Sequence, residues 1–400
     1  MTHIFASSGL TPDQFLRDYW QQKPLLLREA FPGFRPELDA DDIAGLACDE
    51  MAESRLVTGS YPGRKWTLSY GPFSDEDFAA LPERDWTLLV QDVEKHYPPL
   101  RRLLAAFDFL PRWRIDDLMV SVAGPGGSVG PHVDQYDVFL LQASGRRRWR
   151  IAEHFDPELE PDCELNVLRR FTAEQEWVLA PGDLLYLPPG VAHFGTAEEA
   201  AAGKPGAAAS SGANTCMTWS IGMRAPSAAD LLQSFGEWLA ANADEGGRYG
   251  DPCLEPATRP GEIDPAALRR LRDLARACID DDRRCPAFLG SFLSRYRLAH
   301  EPAPPPTAVT PAELRRALDR GASLRHNPWT RLLWLQSADG AWLFAAGSAF
   351  ACHPELAEAL CDPDGLSGPT AERLAKGSPG DVEGLLCELL NRGHLLLEAL

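Results

Sequence analysis

Three residues of this chain have the types and spacing to hold one metal ion: His132 and Asp134 in "GPHVDQYDVF", and His193 in "APGDLLYLPPGVAHF". Residues two apart on a strand point the same way, which sets His132 and Asp134 on one face, roughly 6 to 7 Å apart along the chain. An imidazole and a carboxylate at that spacing can chelate a cation. In the second segment "PGD" reads as a tight turn, "LLYLP" as a strand and "PPGVAH" as a rigid turn that aims His193. Two histidines and one carboxylate on one face of an octahedron leave three positions open, the arrangement used by non-haem Fe(II) oxygenases.

A cation comes next, in "ASGRRRWRI". Strand alternation puts Arg147, Trp149 and Ile151 on one face, with Arg146 and Arg148 on the other. If the first face turns inward, the Arg147 guanidinium needs an anion, because an isolated buried charge is very costly. That anion is either a protein carboxylate or the far carboxylate of a dicarboxylic cosubstrate held by a bidentate fork. The glycine-rich "AGPGGSVG" at 123 to 130 leads into a strand and lacks the Lys-Ser or Lys-Thr of a phosphate loop. It reads as a close bend of the backbone at the mouth of the metal site, or as a simple turn.

These residues need a β-rich scaffold. Up to about residue 225, "DDLMVSVAG", "YDVFLLQASG", "RRRWRIA", "EWVLAPGDLLYLPPG" and "NTCMTWSIGM" are strand-like runs separated by turn chemistry, as in a sandwich or barrel. The segment "AEEAAAGKPGAAASSGAN" at 197 to 214 reads as a surface loop between two strands. From Pro226 the period turns helical. Leu231, Leu232, Phe235, Trp238 and Leu239 share one face behind the N-cap Ser227. Leu268, Leu271, Leu274, Ala275 and Cys278 form a stripe behind Asp264 and Pro265, and Phe288, Leu289, Phe292, Leu293 and Tyr296 a third. Such stripes can pack on one another or form a dimer seam. A proline-rich linker, "HEPAPPPTAVT", precedes a helix opened by Thr310 and Glu313, two strands around an Asp-Gly turn, and a last helix, "DVEGLLCELLNRG". Helices around a hairpin resemble a winged helix. No dense basic recognition helix stands out, so the expectation is a protein-binding or structural module without direct nucleic-acid binding.

Composition narrows the partners. The chain has 400 residues and a formal net charge of -19. That charge disfavours phosphate backbones and suits a cationic partner, or serves solubility alone. Nine cysteines are scattered without a CxxC pair, which argues for free thiols and against a structural zinc site. No apolar run approaches the roughly 20 residues of a membrane span, and the start does not read as a secretory signal; the expected location is the cytoplasm.

The runs "DDLMVSVAGPGGSVGPHVDQYDVFLLQASGRRRWRI", "PGDLLYLPPGVAH", "WTLLVQDVEKHYPPL" and "DYWQQKPLLLREAF" together resemble the JmjC-domain ribosomal oxygenases, bacterial branch. The resemblance extends over nearly the whole chain. It implies an α+β protein: a double-stranded β-helix (cupin or JmjC jelly roll) at 1 to 225, a helical dimerisation region at 226 to 303 and a winged helix at 304 to 400. It also implies that His132, Asp134 and His193 bind Fe(II), and that Arg147 holds the C5 carboxylate of 2-oxoglutarate, with Ser121 a weaker contact to it. The implied activity consumes 2-oxoglutarate and O2 and hydroxylates Cβ of an arginine in large-subunit ribosomal protein sixteen. Relatives with lysine at the position of Arg147 hydroxylate histidines, so this arginine favours the bacterial branch. The alanine-rich insertion is the departure from the pattern. Asp116, Asp117, Tyr136 and Asp137 lie near the motifs and can be read either as contacts to a substrate guanidinium or as strand-end residues. Two rival readings are a catalytically silent jelly roll that binds basic proteins and a demethylase or small-molecule oxygenase on the same fold.

Overall fold

The computed structural model describes residues 4–62, 64–199, 215–242, 247–296, 300, 302–362, 365–377 and 381–398. Most of the alanine-rich insertion, 200–214, lies outside the described residues. The chain divides into two units, Met1–Ala225 and Pro226–Leu400.

In the first unit the strands are β1 (Leu25–Leu27), β2 (Ser54–Ser60), β3 (Arg64–Tyr70), β4 (Trp86–Val90), β5 (Ile115–Ala123), β6 (His132–Val133), β7 (Val138–Ser144), β8 (Arg147–Ala152), β9 (Gln175–Leu179), β10 (Leu184–Leu187), β11 (Ala192–Ala197) and β12 (Cys216–Met223). They pair into a major sheet, in the order β1-β10-β7-β12-β5-β4-β2-β3, and a minor sheet, β6-β11-β8-β9. This is the jelly roll the motifs imply, extended by β2 and β3, which the sequence reading did not single out. Residues 54–70 mix threonine, serine, arginine and lysine with few apolar side chains, so their alternation is faint.

The major sheet has two different faces. On one, Leu118, Val120 and Val122 of β5, Phe139 and Leu141 of β7, Leu184 and Tyr186 of β10, and Trp219 and Ile221 of β12 join one large apolar cluster. N-terminal helices cover that face. The helix Pro12–Asp18 starts from a capping box of Thr11 and Gln14, with Pro12 in its first turn. It buries Phe15 edge-on against Tyr186, ring centroids 4.9 Å apart. On the other face, Val138, Leu140, Leu185 and Leu187 meet Trp149, Ile151 and Leu179 of the minor sheet in a smaller cluster. By strand alternation Asp117, Met119 and Ser121 point to this inner side, away from the large cluster.

The second unit has two parts. Helices Ala228–Ala241, Pro265–Ile279 and Arg284–Leu293 share a small cluster of Phe235, Cys278 and Phe288, supported by Leu231, Trp238, Leu239, Leu289 and Phe292. Of the stripe expected on the second helix, Cys278 is buried, whereas Leu268 and Leu271 are about half exposed, and Leu232 of the first helix is also exposed. Tyr296 falls beyond the third helix. The remainder carries β13 (Ser323–His326), β14 (Leu332–Ser337), β15 (Gly340–Ala345), β16 (Ser348–Cys352), β17 (Leu366–Ser367) and β18 (Leu395–Glu398). They form two three-stranded sheets, with helices Pro311–Asp319, Pro354–Leu360, Gly368–Gly377 and Val382–Asn391. The capping box of Thr310 and Glu313 is present, and Gly321, with φ of 95°, follows the helix.

Candidate metal centre

His132 and His193 are cross-strand partners on β6 and β11, directly opposite each other. Their ring centroids lie 4.2 Å apart. β6 is only two residues long, and Asp134 sits just past its end. Its Oδ2 is 3.6 Å from His193 Nε2 and 4.0 Å from His132 Nε2. Ligand atoms from all three converge within 4.8 Å of one another, the one such grouping of histidine, cysteine or carboxylate among the described residues.

The other ring nitrogens are already placed. Nδ1 of His132 lies 2.9 Å from the Gly130 carbonyl, and Nδ1 of His193 lies 3.0 Å from the Val191 carbonyl. Each Nδ1 therefore carries the proton, which leaves each Nε2 lone pair facing the shared point. Burial pushes the His193 imidazole down to about 4, His132 pushes it the same way, and Asp134 opposes them. The ring is thus neutral at neutral pH, as a ligand must be.

Packing fixes this geometry. Trp149, 5% exposed, lies beside His193 with centroids 5.9 Å apart. Its six-membered ring occupies the space a side chain at Gly195 would need, since a Cβ there would come within 2.7 Å. The glycine-rich turn works the same way: a Cβ at Gly127 would fall 2.1 Å from the Trp86 carbonyl oxygen. The close-bend reading of "AGPGGSVG" thus agrees with the geometry.

β8 alternates as expected: Arg147, Trp149 and Ile151 are buried, Arg148 and Arg150 half-buried. The outer pair form ion pairs with Glu176, and Arg148 also with Glu198. Arg147 differs. It is 4% exposed, and its Nε and Nη2 have no hydrogen-bond partner among the described residues. Among the described residues no carboxylate pairs with it, so the protein-carboxylate reading finds no support there. Ser121 lies on the inner side of β5, 4% exposed, and its hydroxyl donates to the Thr218 carbonyl at 3.4 Å.

The acidic candidates separate. Asp137 is fully buried and spoken for: its carboxylate accepts from Arg114 Nη2 at 2.8 Å, the Tyr186 hydroxyl at 2.6 Å and Gln21 Nε2 at 3.0 Å. It is a structural anchor tying β10 and the N-terminal segment together. Asp137→Asn, which strips the charge opposing Arg114, is expected to cost about 3 kcal/mol in urea unfolding, with the metal ligands untouched. Tyr136 is 42% exposed. Asp117 faces inward, and its Oδ2 accepts from Gln91 Nε2 at 3.0 Å. Burial, aided by Glu94, Asp92 and Asp116 and opposed by Lys95, pushes its carboxyl up to about 8. This cluster escaped the sequence reading, because its members come from separate segments with no shared motif.

A folded-state value above the unfolded one means the native protein holds a proton the unfolded chain releases. The stabilisation is complete below about pH 4 and is lost as pH rises through about 8. Asp117→Asn, which does not titrate, is therefore expected to gain in unfolding midpoint over the unsubstituted protein from pH 5 to pH 8. Parallel urea series at the two pH values measure it.

Comparison with known proteins agrees with this geometry. The JmjC domain family matches residues 102–231, and the ROXA-like winged helix matches residues 277–396. The chain is 38% identical over 314 residues to the ribosomal protein uL16 3-hydroxylase of Escherichia coli (strain K12), covering 78% of this chain and 79% of that one. It belongs to the JmjC ribosomal oxygenases. Two solved structures bear on this ribosomal oxygenase. The X-ray structure of E. coli YcfD superposes with a TM-score of 0.85 at 33% identity, over 98% of this chain and 99% of that one. YcfD in complex with cobalt and 2-oxoglutarate superposes with a TM-score of 0.81 at 33% identity, with the same coverage.

Proposed function

We propose that this chain is an Fe(II)- and 2-oxoglutarate-dependent hydroxylase that oxidises Cβ of an arginine in ribosomal protein uL16. The observation that carries the reading is the pairing of a two-histidine, one-carboxylate cluster with a buried, unanswered arginine on the adjoining strand. His132, Asp134 and His193 would hold the iron: three neutral-nitrogen and carboxylate donors suit Fe(II) and leave coordination positions for a cosubstrate. Arg147 would take the C5 carboxylate of 2-oxoglutarate in a charge-assisted fork, and Ser121 would add a weaker contact. When bound, iron and 2-oxoglutarate supply the oxidising chemistry, in which O2 is consumed, 2-oxoglutarate becomes succinate and carbon dioxide, and a C–H bond becomes C–OH.

The chain's own part is to aim and to exclude water. Trp149 and Ile151 close the inner side of β8 against solvent. Asp117 offers a carboxylate on that side for a substrate guanidinium, whose charge would draw off the carboxyl proton. The net charge of -19 favours approach of a basic ribosomal protein. In this reading 1–225 is the oxygenase domain, 226–303 a dimerisation region whose exposed Leu268 and Leu271 would seat a second copy, and 304–400 a winged helix that does not bind nucleic acid. The working place is the cytoplasm, where ribosomal proteins are made. No helix of the described residues is long and apolar enough to cross a membrane.

The test is the mass of uL16 after incubation with this protein, Fe(II), 2-oxoglutarate and O2, beside a His132→Ala control. One added oxygen on an arginine, absent in the control, supports the reading. Turnover of 2-oxoglutarate with unmodified uL16 would retain the oxygenase and remove the substrate. No turnover would favour a silent binding protein.

A further inference from the structure

A cavity of about 330 Å³ opens on the outer face of the major sheet, the face turned away from the metal ligands. Phe31, Phe34 and Trp219 line its apolar part. Phe34 stands edge-on to Trp219 with centroids 5.3 Å apart, and Trp219 is 1% exposed. Arg35, Arg102 and Glu37 stand at the rim, all three exposed. Neither guanidinium has a hydrogen-bond or ion-pair partner among the described residues.

Both stand beside the same apolar recess without a carboxylate partner among the described residues, and one carboxylate, Glu37, leaves the rim with net positive charge. A volume near the lower end of small-molecule sites, aromatic walls and a cationic edge together select a small ligand with one apolar body and one anionic group. The stronger contact is a bidentate bond from an arginine to a carboxylate.

We propose that this recess is a second binding site, separate from the oxygenase centre, for a small free amphipathic carboxylate. Its apolar body lies on Phe31 and Phe34, and Arg35 and Arg102 grip its carboxylate. β12 connects the two sites physically: Trp219 faces the recess side of the sheet, and the neighbouring Thr218 turns inward to bond Gln142.

The experiment uses the full chain and the fluorescent probe 8-anilinonaphthalene-1-sulfonate, which carries an aromatic body and a single anionic group. Saturable binding at one probe per chain is expected, weakened about tenfold or more in Arg35→Glu and in Arg102→Glu. The same charge reversal at Arg272, on the helix with exposed Leu268 and Leu271, is expected to leave it unchanged. Unchanged 2-oxoglutarate turnover in the two rim variants would show that the fold and the metal site persist. Decanoate is expected to displace the probe. The proposal fails if there is no saturable binding, if affinity is equal in the rim variants, or if only Arg272→Glu weakens it. It fails also if decanoate does not compete while sedimentation with phosphatidylglycerol vesicles depends on Arg35, because the anion is then a bilayer headgroup.

Discussion

His193→Ala is expected to abolish metal binding and to lower 2-oxoglutarate turnover by about a thousandfold or more, with the jelly roll intact. In the proposed reading His193 is one of three donors, and no fourth histidine, cysteine or carboxylate is in reach among the described residues. The two that remain, His132 and Asp134, are half-buried and sit at the end of a two-residue strand. A bidentate remnant of that kind holds a divalent ion weakly, and the reaction has no route without the metal. Calorimetric titration with Co(II), which does not require turnover, measures the loss directly, and far-UV circular dichroism checks the fold. Retained micromolar Co(II) binding in the variant would remove His193 from the ligand set.

Arg147→Ala is expected to raise the KM for 2-oxoglutarate about a hundredfold or more, with Co(II) affinity unchanged. Truncating one partner of a buried, hydrogen-bonded charge pair costs roughly 2–5 kcal/mol, which corresponds to about thirtyfold to a few thousandfold and brackets that value. Arg147 also has a structural side, since its guanidinium carbon lies 5.7 Å from the Trp149 ring. The separation rests on the apo protein. If Arg147 awaits an anion, removing it relieves an unpaired buried charge, and thermal stability without 2-oxoglutarate holds or rises. If the arginine were purely structural, stability would fall and KM would stay. Arg147→Lys keeps the charge and loses the fork, so an intermediate KM, about tenfold raised, is expected.

How much of this was legible in the sequence differs from one residue to the next. The cluster of His132, Asp134 and His193 was readable because strand period and turn chemistry are local: HxD fixes two side chains, and the prolines and Gly190 before His193 announce a fixed turn. The inward face of Arg147 was readable because Trp149 and Ile151 share its parity. What the sequence did not show is that His132 and His193 are directly opposed, since register between β6 and β11 depends on pairings made by other strands. Nor did it separate Asp137 from Asp117. Both are acids near an apolar strand, and only the arrival of Arg114, Gln21 and Tyr186 from three other segments makes one an anchor. The stripe on Pro265–Ile279 is a clear pattern, yet periodicity does not say how far a face is covered by its own chain, and Leu268 and Leu271 stay about half exposed.

The two unlike faces of the major sheet bear on how such a protein can diverge. The large apolar cluster that holds the first unit together lies on the outer face of the major sheet, while the inner side carries Asp117, Ser121 and, across from them, Arg147. Along β5 and β12 these roles alternate residue by residue. A lineage can therefore rewrite every second position of a strand, exchanging Asp117, Met119 or Ser121 for another pocket, without spending the stability stored in Leu118, Val120 and Val122. Selection for a new substrate and selection for folding act on interleaved but separable letters of the same strand.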